Sequence, residues 1–578
     1  MPARLVRLIT EHALLVIMLV ILGAFLVYPI GLTVRGGFAA DPATGQGFTL
    51  DHLVMVFKDP RLTGGLTNAF RIAVATTTLC VLIALPLAVL SANYRFPLKK
   101  TLNAAILVPL ILPPFVGALG MRALLGRTGS LNALLGTEWD LLGSNKFWGV
   151  VVVQALHLYP IIYLNATASL ANLDPALNES AENLGAGPWR RFFKITLPLI
   201  RPGLFAGATI VFIWAFTELG TPLMFDYYQV TSVQIFSGLK EVQNSAEPYA
   251  LTVVMLTAAI LFYVLGKAVF GRKGYAMYSK ASRAGDETPL TGLGGWLAAG
   301  GFLLVTFLAV LPHLGVILTS LAQPGSWYRT ALPESFTLQH YDQALTTDES
   351  FNSIKNSLIL SLTAMVLNMG IGVMVGYLLV RTKVMGRSLL DALCMLPLAV
   401  PGLVMAFGYV AMTLRWPFGP GSPLDGTPFD LDIFGANPNP FPLLIIAYAI
   451  RRLPYIVRST VAGLEQTSGE LEEAAVNLGA SRLTAVRKVI VPLIMANLIA
   501  GGLLVFSFSM LEVSDSLILA QRSDHFPITK MIYELTNRLG DGIFVASAMG
   551  AWGMALLAVT LVGASVMMGK KLGSIFRV

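Results

Sequence analysis

The chain has 578 residues, of which 55% are apolar and only 12% charged, and its mean hydropathy is +0.70. That balance excludes a soluble globular protein and requires most of the chain to sit in lipid. The net charge of +8 does not mark a nucleic-acid surface, because the basic residues are dispersed over alternate connections between apolar runs.

A membrane-crossing helix needs about 20 mostly apolar residues. Twelve such runs are expected, at 10–34, 65–93, 102–124, 147–170, 202–222, 249–270, 293–321, 354–380, 388–413, 441–462, 493–515 and 542–568. Arg4 and Arg7 precede the first run and Arg95, Lys99 and Lys100 follow the second. Arg190, Arg191 and Lys194 follow the fourth, Arg381, Lys383 and Arg387 the eighth, and Arg482, Arg487 and Lys488 the tenth. By the positive-inside rule both termini face the cytoplasm. The first run is too long for a cleaved signal peptide and reads as an anchor. Cys80 and Cys394 both lie within apolar runs, so neither a disulfide nor a metal site is expected.

The third run contains VPLILPP at 108–114, with Pro109 and Pro113 four residues apart. The ninth contains LPLAVPG at 396–402, with Pro397 and Pro401 at the same spacing, 288 positions later. Each proline removes a helical donor and bends the chain, either as a packing kink or as a bent helix lining a pathway. The fourth run carries His157, Tyr159 and Pro160; at an offset of 294 the tenth carries Arg451, Arg452 and Pro454. Arginine at membrane depth must face protein or water. These arginines, aided by His157, are therefore expected to keep a pathway electropositive, unless they snorkel to the interface. The fifth and eleventh runs end in Glu218 and Glu512, again at the 294 offset, with Asp515 nearby. They are pathway candidates whose alternative is hydrogen-bonded packing.

Two polar stretches interrupt this apolar chain on the expected cytoplasmic side, within loops 171–201 and 463–492. Glu179, Ala181, Asn183, Leu184, Gly185, Ala186 and Pro198 superimpose by spacing on Glu473, Ala475, Asn477, Leu478, Gly479, Ala480 and Pro492. Each reads as two short helices hinged at Gly185 or Gly479, projecting either into a groove on another protein or along the headgroups. The chain is thus a duplicated unit. It divides into residues 1–270, a cytoplasmic linker at 271–292, and 293–578. Six runs separate the two loops, so the halves are parallel six-helix repeats and the fold class is all-α polytopic membrane protein.

E-x-A-x-N-L-G-A, eleven residues and then Pro resembles the EAA loop of permease subunits in bacterial ATP-binding-cassette importers. The second copy, Glu473-Ala474-Ala475 with Gly479, fits more closely; the first has Ser180 for the middle Ala. The resemblance implies that Glu179, Ala181, Gly185, Glu473, Ala475 and Gly479 couple to two copies of a cytoplasmic ATPase subunit, which binds ATP and Mg. It also implies a periplasmic substrate-binding protein as partner and the bacterial inner membrane as location. The fused double layout, with LPLAVPG and Arg451-Arg452-Leu453-Pro454-Tyr455, looks most like ferric-iron permeases. Phosphonate, thiamine and polyamine importers remain alternatives.

No G-x-x-x-x-G-K-[S/T] is present: Gly266-Lys267 has Leu261 in the first Gly position and Ala268 in the hydroxyl position, and Gly569-Lys570 has Ala564 and Lys571. No cofactor of its own and no enzymatic activity are expected. The competing reading is an ion-coupled secondary transporter with Glu218, Glu512 and Asp515 as proton sites. Reporter fusions should place both termini and both polar loops on the same membrane face; termini on opposite faces would exclude the twelve-run arrangement.

Overall fold

The computed structural model describes residues 2–41, 45–111, 114–140, 142, 146–241, 245–270, 287–427, 431–434 and 438–568. Pro113 and most of the expected linker, residues 271–286, lie outside the described residues. Lipid offers no hydrogen bonds, so the backbone satisfies itself within helices. Eight helices are long and apolar enough to cross a membrane, or eleven if each of three bent pairs is one span. The tenth expected run forms helix Phe441–Glu465. It is not among the eleven, because Arg451, Arg452 and Arg458 punctuate it.

The expected runs 102–124 and 388–413 are broken rather than gently bent. Lys99–Leu110 meets Pro114–Leu135 at 97°, and Arg387–Ala399 meets Gly402–Thr413 at 107°. The second break is local chemistry. Val400 precedes Pro401 and is extended (φ −86, ψ 128), the conformation that a following proline imposes. At about 1.5 Å per residue, the 13- and 12-residue arms are each too short to cross a bilayer unaided.

Contacts divide the chain into two compact units that cut across the sequence halves. The first unit holds Met1–Asp59, Ile235–Val254 and Leu338–Ile575. In it Asp348–Arg381, Phe441–Glu465 and Met495–Met510 pack against one another. Their close approach depends on small residues: a Cβ on Gly372 would stand 2.8 Å from Ile456, and one on Gly501 2.8 Å from Ser459. Tyr28–Phe38 packs on Gly402–Thr413, where a Cβ on Gly408 would lie 2.8 Å from the Pro29 carbonyl oxygen.

The second unit holds Pro60–Gln234 and Met255–Thr337. Pro60–Asn93, Lys146–Ala171 and Leu197–Thr217 form its packed trio. Leu293–Leu321 lies on Pro114–Leu125, with Gly120 directly against the backbone of Pro312, Gly315 and Val316. Gly120 and Gly408 hold equivalent positions in the two broken helices, so each half lends its first long helix to the broken helix of the other. Residues 1–270 and 293–578, expressed as separate chains, should therefore co-purify when made together and aggregate when made alone. A monodisperse 1–270 fragment would show that the exchanged helices are dispensable.

Candidate functional site

Both polar loops fold by the same local rule. In the first, the Asp174 carboxylate accepts from Ala176 N–H at 3.0 Å and opens helix Pro175–Asn183. Gly185 then adopts φ +80. Ala186 N–H donates to Ala181 O at 2.9 Å, and Gly185 N–H donates to Glu182 O at 2.8 Å. These are the paired bonds of a Schellman cap. In the second loop helix Glu470–Asn477 ends at Gly479, φ +94. Ala480 N–H donates to Ala475 O at 3.0 Å and Gly479 N–H to Val476 O at 2.9 Å. The repeated spacing is therefore a helix stop, with Ala181 and Ala475 supplying the carbonyl and the glycines the left-handed residue.

Glu179 and Glu473 point to solvent, whereas Ala181 and Ala475 are half-buried. The loop tips are apolar: Leu184 is 87% exposed and Leu478 90%. Sequence reasoning gave the glycines a role and these leucines none, although their identity at the 294 offset was the available signal. It also passed over Glu472, the buried acid of the second loop, which accepts from the Tyr377 hydroxyl at 2.7 Å. Arg381, one helical turn beyond Tyr377, donates to Leu464 O at 3.1 Å and to Thr467 O at 2.8 Å. Arg482 completes the anchorage with Glu11, 3.6 Å away. In the first loop Arg191 pairs with Glu182 at 2.5 Å, a bond within the loop itself.

Within the first unit the structure brings together Arg451, Arg452, Glu512 and Asp515. Arg451 Nη1 is 2.9 Å from Glu512 Oε1 and 3.4 Å from Asp515 Oδ2. Arg452 pairs with Glu512 and donates to Phe508 O at 3.1 Å. Glu512 and Asp515 are 3% and 1% exposed. Two guanidinium groups thus face two carboxyl groups. The arginines expected to keep a pathway electropositive are paired with carboxylates: low-dielectric surroundings favour a counter-charge, and the eleventh run supplies it. Gly402, beside Pro401, lies directly against the Arg451 guanidinium and leaves it room.

The second unit answers at the equivalent positions without charge pairs. His157 Nδ1 lies 2.8 Å from Pro109 O. Glu218 accepts from Thr221 N–H at 2.9 Å and from Gln154 Nε2 at 3.3 Å, and its own carbonyl accepts from Ser232 at 2.7 Å. Among the described residues Glu218 forms no ion pair. Tyr159 is fully buried, its hydroxyl without a hydrogen-bond partner among the described residues. Pro397 sits inside Arg387–Ala399 and Pro401 opens Gly402–Thr413. His157, Tyr159 and Glu218 belong to one unit and the arginine cluster to the other.

The family model for the binding-protein-dependent transport system inner membrane component matches twice, over residues 84–273 and 368–569, and both matches contain a capped loop. The chain belongs to this permease family. It is 26% identical over 79% of its length to the ferric transport system permease protein FbpB of Actinobacillus pleuropneumoniae, and spans 63% of that relative. It is 24% identical to the Fe(3+)-transport system permease protein FbpB 2 of Haemophilus influenzae, over 92% of this chain and 93% of the relative. A probable molybdenum ABC transporter permease protein of Haloferax volcanii is 30% identical, over 43% of this chain and 89% of the relative.

The contrast between the two acids of this permease is measurable. Glu512→Gln leaves Arg452 without a carboxylate partner and Arg451 with Asp515 alone, and should destabilise by about 3–5 kcal/mol. Glu218→Gln removes hydrogen bonds to neutral partners and should cost about 1–2 kcal/mol. Thermal unfolding in detergent would check the order, and equal losses would mean that the ion cluster adds nothing.

Proposed function

We propose that this permease forms the substrate pathway of an ATP-driven importer and that its two capped loops transmit the movement of two copies of a separate cytoplasmic ATPase. ATP and Mg would bind to those subunits. A substrate-binding protein would deliver cargo on the opposite membrane face, with both termini of the permease cytoplasmic. The observation that carries this reading is the duplicated loop. Two Schellman-capped helices, each tipped by an exposed leucine, stand at matching positions within the two family matches. A helix lying on headgroups needs no such shared geometry, whereas a groove on a partner does.

Ferric iron is the cargo this reading favours, since relatives named for ferric transport align with 79% and 92% of the chain. The molybdenum relative aligns with 43%. The anion preference expected from Arg451 and Arg452 forms no part of the proposal, because carboxylates neutralise both. The secondary-transporter reading is weaker for the same reason: Glu512 and Asp515 are already committed to arginine partners.

Gly479 has open space where a Cβ would stand, so a side chain there meets backbone strain of roughly 1 kcal/mol and no clash. Gly479→Asp adds a charge that docking must desolvate, a larger penalty. Gly479→Asp and Gly185→Asp should insert normally yet lose the co-purifying ATPase or hydrolyse ATP without transport. Full retention of both the subunit and coupling in both variants would remove the loops from the transmission path.

A further inference from the structure

The first unit contains a cavity of about 480 Å³, within the roughly 300–1,000 Å³ typical of small-molecule sites. Tyr28, Tyr249 and Trp416 wall it, and Arg35 and Arg415 stand over it. Among the described residues that line it there is no carboxylate. The two guanidinium groups converge on one glycine. Arg35 Nη2 donates to Gly45 O at 3.2 Å. Arg415 Nη2 lies 3.0 Å from the place a Gly45 Cβ would take, and Gly45 has φ +68. Any side chain at 45 would therefore displace Arg415. The walls are held as firmly: the Tyr28 hydroxyl donates to Trp416 O, and the Tyr249 ring fills the space left by Gly36 and stacks edge-on to Phe407 at 5.0 Å.

The position of this cavity follows from the Glu11–Arg482 pair. That pair sets the start of the Ile9–Phe38 helix level with the second capped loop. Arg35 lies about 24 residues beyond Glu11, about 36 Å along a helix, more than the roughly 30 Å hydrocarbon core. The cavity thus opens at the membrane face opposite the capped loop. Gly45 and Trp416 belong to connections rather than to helix flanks.

We propose that this cavity binds a small soluble oxyanion, a carboxylate or phosphate, at the face from which cargo enters. Paired guanidinium groups are weakly hydrated planar donors that grip such oxygens bidentately and repel cations. Aromatic walls add apolar contact around a narrow charged contact. The entry side rests on the importer orientation proposed above; the anion site itself does not. For an iron importer it would take the acidic chelator of the metal rather than the bare cation.

The test uses the full-length protein in phosphatidylcholine nanodiscs, titrated calorimetrically with citrate and, separately, with inorganic phosphate. At least one should bind saturably. Arg35→Gln and Arg415→Gln should each weaken binding about tenfold or more, and Arg35→Lys, which keeps the charge but loses the bidentate fork, should fall between Arg35→Gln and the parent protein. Arg35 is exposed, so its variants should fold, with the melting temperature as control. Absence of saturable binding up to about 10 mM, or unchanged affinity in the Arg35→Gln/Arg415→Gln double variant, overturns the proposal. The side is read separately with Trp416→Cys, since Cys80 and Cys394 are buried. A membrane-impermeant maleimide should label it from outside intact cells, and citrate should slow the reaction. Labelling only from the cytoplasmic side overturns the orientation, and the calorimetric titration then decides the anion site by itself.

Discussion

A guanidinium group surrounded by apolar helices must be neutralised inside the protein, and that requirement shapes the centre of the first unit. Arg451 and Arg452 project from one helix and the carboxylates of Glu512 and Asp515 come from beyond the end of another. The surrounding groups hold these four in place. Ser516 and Thr529 donate to the Glu512 carbonyl at 2.5 Å and 2.6 Å, and Tyr448 bonds to Ser516 at 2.6 Å. Such a cluster contributes little net stability compared with well-packed apolar residues, yet breaking it is costly. Its effect is to fix where the Phe441–Glu465 helix sits relative to the segment after Met510.

The equivalent backbone positions of the first half carry a different chemistry. His157, Gln154 and Glu218 meet the polar demand with hydrogen bonds to the Pro109 carbonyl, to one another and to Thr221. A duplicated chain is thus chemically unequal in its two halves. The inequality extends to the loops, since the second is tied through Glu472 to Tyr377 and the first closes on itself through Arg191 and Glu182.

What could be read from the sequence was whatever depends on near neighbours. Apolar runs of sufficient length became helices. The loop spacing located two left-handed glycines, because a cap is written within a single turn of chain. The proline pairs marked where helices bend, but not that Val400 turns fully extended and breaks the span. Offsets aligned Arg451 with His157 and Glu512 with Glu218, yet nothing in the spacing said that Arg451 reaches Glu512. Arg35 and Arg415 stand 380 positions apart in the chain and no sequence pattern joins them, since their meeting depends on packing between distant helices. The glycine contacts that select partners, Gly120 with Pro312 and Gly408 with Pro29, are equally silent in a hydropathy profile.

The exchange of first helices has a consequence for biosynthesis. The segment ending at Phe38 leaves the ribosome long before Gly402, the start of the helix on which it finally rests. At about 5–20 residues per second, it waits roughly 20–70 s beside lipid with its eventual contact face unoccupied. The segment is suited to that interval, because Thr33 returns its hydroxyl to Pro29 O at 3.1 Å within its own helix and so needs no second helix to satisfy it. The glycine on the late-arriving helix then has only to slide under a surface that is already formed. Assembly of the first unit is therefore gated by translation of the second half, and the nascent chain passes through a long-lived, inserted but unpacked state.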